Sequence, residues 1–206
     1  MKNTESAIRR IPQTRYSKSK LEGEKALLSF KERLPITIVR PPAIYGPRDN
    51  EILAFFKMVR RLRVAFRMGD SLQSVSMIYG ADAASACIRA IDADVPSGAI
   101  YFVDDGATYT FEDMAREIAK GYGVRLFGLP RVPTPVLRAA AAVSTAYGEA
   151  FDQAVIFNTD KLGELLMEHF VVDSSRTQKD LDWKPQTAFP EGAKITARWY
   201  REHGWD

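Results

Sequence analysis

Between Ser17 and Arg33 the apolar positions Leu21, Leu27 and Leu28 fall at helical spacings among Lys and Glu, Leu34 extends the pattern, and it stops before Pro35. That periodicity predicts a helix. Ile36 to Arg40 (ITIVR) is a short β-branched run closed by Pro41 and Pro42. After a helix, such a run predicts a buried parallel strand. The polar loop AIYGPRDN leads to Glu51 to Leu62, where Ile52, Leu53, Phe55, Phe56 and Val59 form one broad apolar face and predict a second helix. Val64 to Tyr79 alternates poorly around Gly69-Asp70 and predicts short strands about a turn.

Ala81 to Ala93 is helical in pattern, and Ala99 to Val103 (AIYFV) predicts another buried strand ended by Asp104, Asp105 and Gly106. Thr110-Phe-Glu-Asp113 has the form of a capping box opening a helix. Beyond Gly123 the pattern changes. Pro130, Pro133 and Pro135 break the chain, and an alanine-rich helix follows from Val136 to Glu149. Shorter helical pieces are predicted at Asp160 to Met167 and Ser175 to Leu181, and a last helix at Pro190 to Glu202 starts on a proline whose missing N–H is not needed there. The succession is that of an α/β chain, the tail of a doubly wound parallel sheet with a small, mostly helical lobe. It reads as a single incomplete domain over 1–206, with 15–123 mainly sheet and helices and 124–206 mainly the lobe.

With 46% hydrophobic and 27% charged residues the composition is that of a soluble globular domain able to bury a core. A net charge of +3 is too small to make nucleic acid or an anionic membrane the main partner, so any basic site is local. The single Cys87 with His169 and His203 offers no zinc-ligand spacing, so a reducing cytoplasm and no structural metal are expected. The apolar stretch Val132 to Val143 is broken by Pro133, Pro135 and Arg138, and no transmembrane span is expected. The alanine-rich helix packs either within the lobe or against a membrane surface or partner.

Tyr16 and Lys20 stand four residues apart at the start of the first helix, on one face. An ammonium near a phenol favours the phenolate and lowers the tyrosine pKa toward values useful for proton transfer. An ordinary solvated helix start explains the same pair. Context adds to it. Pro12-x-x-x-Tyr16-x-x-Ser19-Lys20-Leu21-Glu22 and Val39-Arg40-Pro41-x-x-Ile44-Tyr45-Gly46-Pro47-Arg48 resemble, in order and spacing, the extended short-chain dehydrogenases/reductases of the NAD-dependent epimerase/dehydratase type. Ser76 to Ala84 is similar to that family's His-Val-x-Asp-x-Ala segment, and Leu181-Asp182-Trp183-x-Pro185 to its Leu-Gly-Trp-x-Pro signature.

The resemblance implies a Rossmann-like sheet and an NAD(P)-dependent oxidoreductase, epimerase or dehydratase acting on a sugar nucleotide or a similar alcohol or ketone. Tyr16 then corresponds to the catalytic acid/base and Lys20 to the residue that lowers its pKa and binds the nicotinamide ribose. Both, with Arg40, Pro41 and Pro42, would line the NAD or NADP site. Tyr45 and Arg48 begin the substrate loop. Arg60, Arg61, Arg63 and Arg67 fit either diphosphate recognition, with Arg63 as substrate ligand, or a solvated helix end.

Departures from the family pattern matter too. No catalytic Ser or Thr can be assigned among Thr4, Ser6 and Thr14, Tyr79 stands where the family has His, and no G-x-G-x-x-G or G-x-x-G-x-x-G is present. The chain is therefore expected to be the C-terminal portion of such an enzyme, inactive alone, acting with a separate N-terminal half or as a homodimer. A non-catalytic, partner-binding module descended from the family is the alternative.

Overall fold

The computed structural model describes residues 15–69, 73–151, 162–163 and 169–206. Helix α1 (Arg15–Leu28) leads to strands β1 (Thr37–Arg40) and β2 (Ala43–Tyr45), helix α2 (Leu53–Leu62), and strands β3 (Arg67–Met68) and β4 (Ser74–Tyr79). Helix α3 (Gly80–Asp92), strands β5 (Ala99–Phe102) and β6 (Thr108–Thr110), and helix α4 (Phe111–Tyr122) follow. The rest comprises β7 (Arg131–Val132), α5 (Thr134–Phe151), β8 (His169–Phe170), α6 (Ser175–Asp180) and α7 (Phe189–Glu202).

α1 ends earlier than its sequence pattern predicts. The Ser29 hydroxyl donates to the Ala26 carbonyl at 2.7 Å, competing with the helical ladder, and the chain continues in tight turns. The Ser97 hydroxyl then engages the carbonyls of Lys31 (2.7 Å) and Leu34 (2.9 Å), fixing the entry to β1. The capping box at Thr110 forms as predicted: the Asp113 N–H donates to the Thr110 hydroxyl oxygen at 3.1 Å, and the Thr110 N–H to the Asp113 carboxylate at 2.9 Å.

β1 and β5 pair in parallel, with Arg40 opposite Phe102. β4 pairs in parallel with β2 and β8 and antiparallel with β6. Two sequence expectations change here. AIY of the predicted loop is strand β2, because its backbone finds β4. The strands about Gly69 do not pair with each other, since β3 joins β7 in parallel far along the chain. Long-range partners win over the local turn. The piece predicted at Asp160 to Met167 lies outside the described residues except for 162–163.

Successive β4 residues face opposite sides of the sheet, and two cores result. Met77 enters a core with Tyr45, Phe56, Ile118, Phe189 and Tyr200, while Ile78 enters one with Ala86, Tyr101, Leu181 and Trp183. The first core joins both predicted spans, because α7 packs on α4 at close range. A Cβ on Gly121 of α4 would lie 3.1 Å from the Ala193 carbonyl oxygen and 3.2 Å from the Lys194 Cα, so the helices meet where no side chain intervenes. The segment before α7 is pinned to α3 and to the turn between β5 and β6 by polar contacts. The Thr187 N–H donates to the buried Asp82 carboxylate (2.8 Å), and the Trp183 indole N–H to the Ser85 hydroxyl (2.8 Å). The Phe189 N–H donates to the Asp105 carboxylate (2.8 Å).

Candidate functional site

Helix α1 precedes β1 and is anchored to it by an ion pair. The Arg40 guanidinium at the end of β1 donates to both Glu24 carboxylate oxygens, from Nε at 2.9 Å and from Nη2, and lies 5.5 Å from the Phe102 ring centroid. Both charged side chains are less than a quarter exposed, so the clamp is partly dehydrated and stronger than a surface pair. Lys20 lies one helical turn before Glu24, and Tyr16 one turn before Lys20, so their positions follow the same α1 face. The clamp thus ties the Glu24 turn of α1 to the carboxyl end of β1, where Pro41 and the buried Pro42 begin the crossing to β2. In open α/β sheets, ligands bind outside the carboxyl ends of strands.

A second concavity opens where the carboxyl ends of β2 and β4 stand side by side, with Tyr45 opposite Tyr79. It is a cleft of about 520 Å³, walled by Tyr79 and Trp199 with Gly46, Arg48 and Gly80 around it. Its loop is supported from below: the Tyr200 hydroxyl donates to the Asp49 carbonyl at 2.7 Å, and the Asp49 carboxylate accepts from the N–H groups of Glu51 (3.0 Å) and Ile52 (2.9 Å). Arg48 is exposed with φ of 68°, a left-handed conformation unusual for arginine, which turns the chain at the cleft's edge. Tyr79 is held above its ordinary phenol pKa, first by burial and then by the Asp82 carboxylate. It is therefore a neutral hydroxyl at physiological pH.

The sequence-predicted residues separate into three places. Lys20 and Arg40 lie on the clamped pair α1 and β1, with Pro41 and Pro42 at its end and Tyr16 in the first turn of α1. Arg48 edges the cleft. Tyr45, expected to contact substrate, also lines the cleft, but its ring turns into the core, 1% exposed, edge-on to Tyr79 and Phe189 at centroid distances of 5.7 and 4.9 Å. Strand alternation is the cause, since Ile44 takes the outward position. Arg63 is not at the cleft. It caps α2 with φ of 54°, and its guanidinium lies 5.4 Å from the Phe127 ring centroid.

Sequence reasoning missed Trp199 as a cleft wall, because a tryptophan on an amphipathic helix carries no mark distinguishing wall from core. It also missed the buried Asp104, which accepts from the hydroxyls of Ser174 and, at 3.3 Å, Ser76. Burial raises its pKa above the ordinary carboxylate value, although both hydroxyls act against that shift.

Comparison with known proteins places this geometry. A ceramide reductase from Caulobacter vibrioides is 30% identical over 202 residues, covering 97% of this chain and 61% of that protein. A UDP-glucose 4-epimerase from Vibrio cholerae is 26% identical over 190 residues, covering 91% of this chain and 54% of that protein. The chain thus spans a little over half the length of the curated relatives it matches. Among solved structures, RMD from Pseudomonas aeruginosa complexed with NADPH superposes with a TM-score of 0.68 at 16% identity, covering 94% of this chain and 58% of that one, which establishes the Rossmann-type fold. The model of the 3-beta hydroxysteroid dehydrogenase/isomerase family matches residues 2–133. With the epimerase and reductase relatives around it, the chain belongs to that family, within the extended short-chain dehydrogenases/reductases.

Proposed function

We propose that the protein containing this chain is an NAD(P)-dependent oxidoreductase of the epimerase, dehydratase and reductase type, and that this chain supplies its proton-transfer group and substrate side. The substrate is an alcohol or ketone, a sugar nucleotide or a lipid-like counterpart of the kinds named for the two relatives. The observation that supports the reading is the Glu24–Arg40 clamp, which ties α1 to the carboxyl end of β1 one helical turn after Lys20 and two after Tyr16. That location fits the nicotinamide-ribose end of a dinucleotide: an ammonium one turn from Glu24, and a Pro41-Pro42 crossing with no backbone N–H to compete for polar partners. When bound, the cofactor supplies the site that accepts or gives hydride.

The chain's own residues do the rest. Tyr16 exchanges a proton between its phenol oxygen and the substrate oxygen, and Lys20 holds the phenol acidic enough to do so. Arg48, at the cleft edge, is the proposed substrate ligand. No glycine-rich phosphate turn occurs in these 206 residues, so tight dinucleotide binding is assigned to the whole protein rather than to this stretch.

Tyr16→Phe removes one hydroxyl. Turnover, followed by nicotinamide absorbance in the whole protein, is expected to fall by about 10² or more with cofactor affinity retained. Lys20→Ala is expected to weaken cofactor binding and move the activity profile to higher pH. Wild-type turnover in Tyr16→Phe would refute the assignment and leave a non-catalytic role.

A further inference from the structure

The net charge of +3 conceals a segregation. Residues 52–69 contain five Lys or Arg and no Asp or Glu, and residues 118–148 contain four and none. The fold joins these two stretches. The Phe127 N–H donates to the Arg63 carbonyl (2.7 Å), the Ala65 N–H to Gly128 (3.3 Å) and the Arg67 N–H to Pro130 (3.0 Å), and β3 then pairs with β7. Some of the cations are answered locally: Arg60 by Asp206, Lys120 by Glu117, and Arg131 in part by the Gly69 carbonyl. Arg61, Arg63, Arg125 and Arg138 are exposed and, among the described residues, have no acidic partner.

Large apolar groups are exposed within the same two stretches. Phe127 is 72% exposed with the Arg63 guanidinium over its ring, and Leu62 is exposed beside it in sequence. Directly after β7, α5 buries Leu137 and Ala141 but leaves a stripe of Val136, Ala139, Ala140 and Val143 in the open. Like charges brought together raise the energy of the folded state unless anions are near, and an exposed phenyl ring is poorly hydrated. A soluble polyanion would satisfy the arginines and leave Phe127 in water. An apolar protein face would do the reverse. A face anionic in its outer layer and apolar just beneath answers both, and that is the chemistry of anionic lipid head groups over acyl chains. No helix among the described residues is long and apolar enough to cross a membrane, so the contact is peripheral.

We propose that the surface around Arg63, Phe127 and Arg125 docks the protein on an anionic lipid surface. This stands apart from the enzymatic reading and is tested without an activity measurement. The full chain is sedimented with vesicles of phosphatidylcholine alone and with added phosphatidylglycerol. Binding is expected only to the anionic vesicles and is expected to weaken as salt screens the head groups. At about 1 kcal/mol for each basic residue at such a surface, Arg61→Gln with Arg125→Gln is expected to weaken binding about 30-fold without shifting the thermal melt. Phe127→Ser is expected to weaken it about tenfold or more, through the lost ring insertion. Absence of binding to anionic vesicles would overturn the proposal. So would unchanged binding in the double variant, or vesicle binding indifferent to Phe127→Ser and competed away by heparin, which would mark a site for soluble polyanions. Loss of the surface in a self-associated form that ignores vesicles would assign it to a second copy and equally overturn it.

Discussion

Replacing Gly192 by alanine tests how Tyr45 is held. Gly192 lies inside α7, where alanine is normally better than glycine by about 0.8–1.0 kcal/mol. A Cβ built there, however, overlaps the Tyr45 hydroxyl oxygen and lies 2.8 Å from two ring carbons. The ring cannot swing away, because it is 1% exposed and edge-packed by Tyr79 and Phe189. Overpacking of this kind costs about 1–3 kcal/mol, occasionally more. For a domain of this size that is a drop of about 2–4 °C in Tm per kcal/mol, so the clash outweighs the helix gain.

Two further substitutions isolate the cause. Gly23 sits inside α1 with nothing within 4 Å of its Cβ position, so Gly23→Ala is expected to stabilise by about 0.5–1 kcal/mol. The same chemical change thus has opposite signs at two helical sites. Tyr45→Phe removes the hydroxyl nearest the new methyl. That hydroxyl is buried with no hydrogen-bond partner among the described residues, so Tyr45→Phe alone should cost little. Combined with Gly192→Ala it should recover part of the loss, the remaining ring contacts accounting for the rest. Urea midpoints of the four variants give the answer. Gly192→Ala at or above wild-type stability, or a double variant as unstable as Gly192→Ala alone, would refute this packing account.

Two other predictions concern charge. Burial raises the Asp104 pKa, so the folded chain keeps that proton at pH values where the unfolded chain has lost it. Its contribution to stability is therefore fully present below the ordinary carboxylate pKa and is lost as pH rises through the raised value; Asp104→Asn should flatten this part of the stability–pH curve, and an unchanged slope in denaturant titrations across that window would count against it. Glu24→Gln leaves the Arg40 guanidinium facing a neutral amide in a partly dehydrated clamp and should destabilise by about 1.5–3 kcal/mol, with faster hydrogen exchange through α1; an effect within about 0.5 kcal/mol would show that the pair behaves as a surface contact.

What the sequence disclosed and what it withheld follow from how far apart the determining contacts lie. The Thr110 box was legible because a hydroxyl and a carboxylate three residues apart satisfy each other within one turn. α1 followed by β1 was legible because its periodicity and its prolines act over a few residues. The candidate pair Tyr16 and Lys20 was legible for the same reason, since helical spacing alone puts four-residue neighbours on one face. Nothing local announced that Glu24 would clamp Arg40, because that contact depends on how α1 docks against β1.

Tyr45 shows the limit most clearly. A tyrosine beside Gly46 and Pro47 reads as a loop residue until its backbone finds Met77 to Tyr79. The strand's two-residue alternation then sends Ile44 outward and the phenol inward, against a glycine on the last helix. Trp199 and Arg63 are decided in the same way by elements far along the chain, Trp199 becoming a wall and Arg63 leaving for Phe127. The proposed proton-transfer pair and the basic stretches are thus written in the sequence, while the shape of the cleft is decided by pairing and packing at long range.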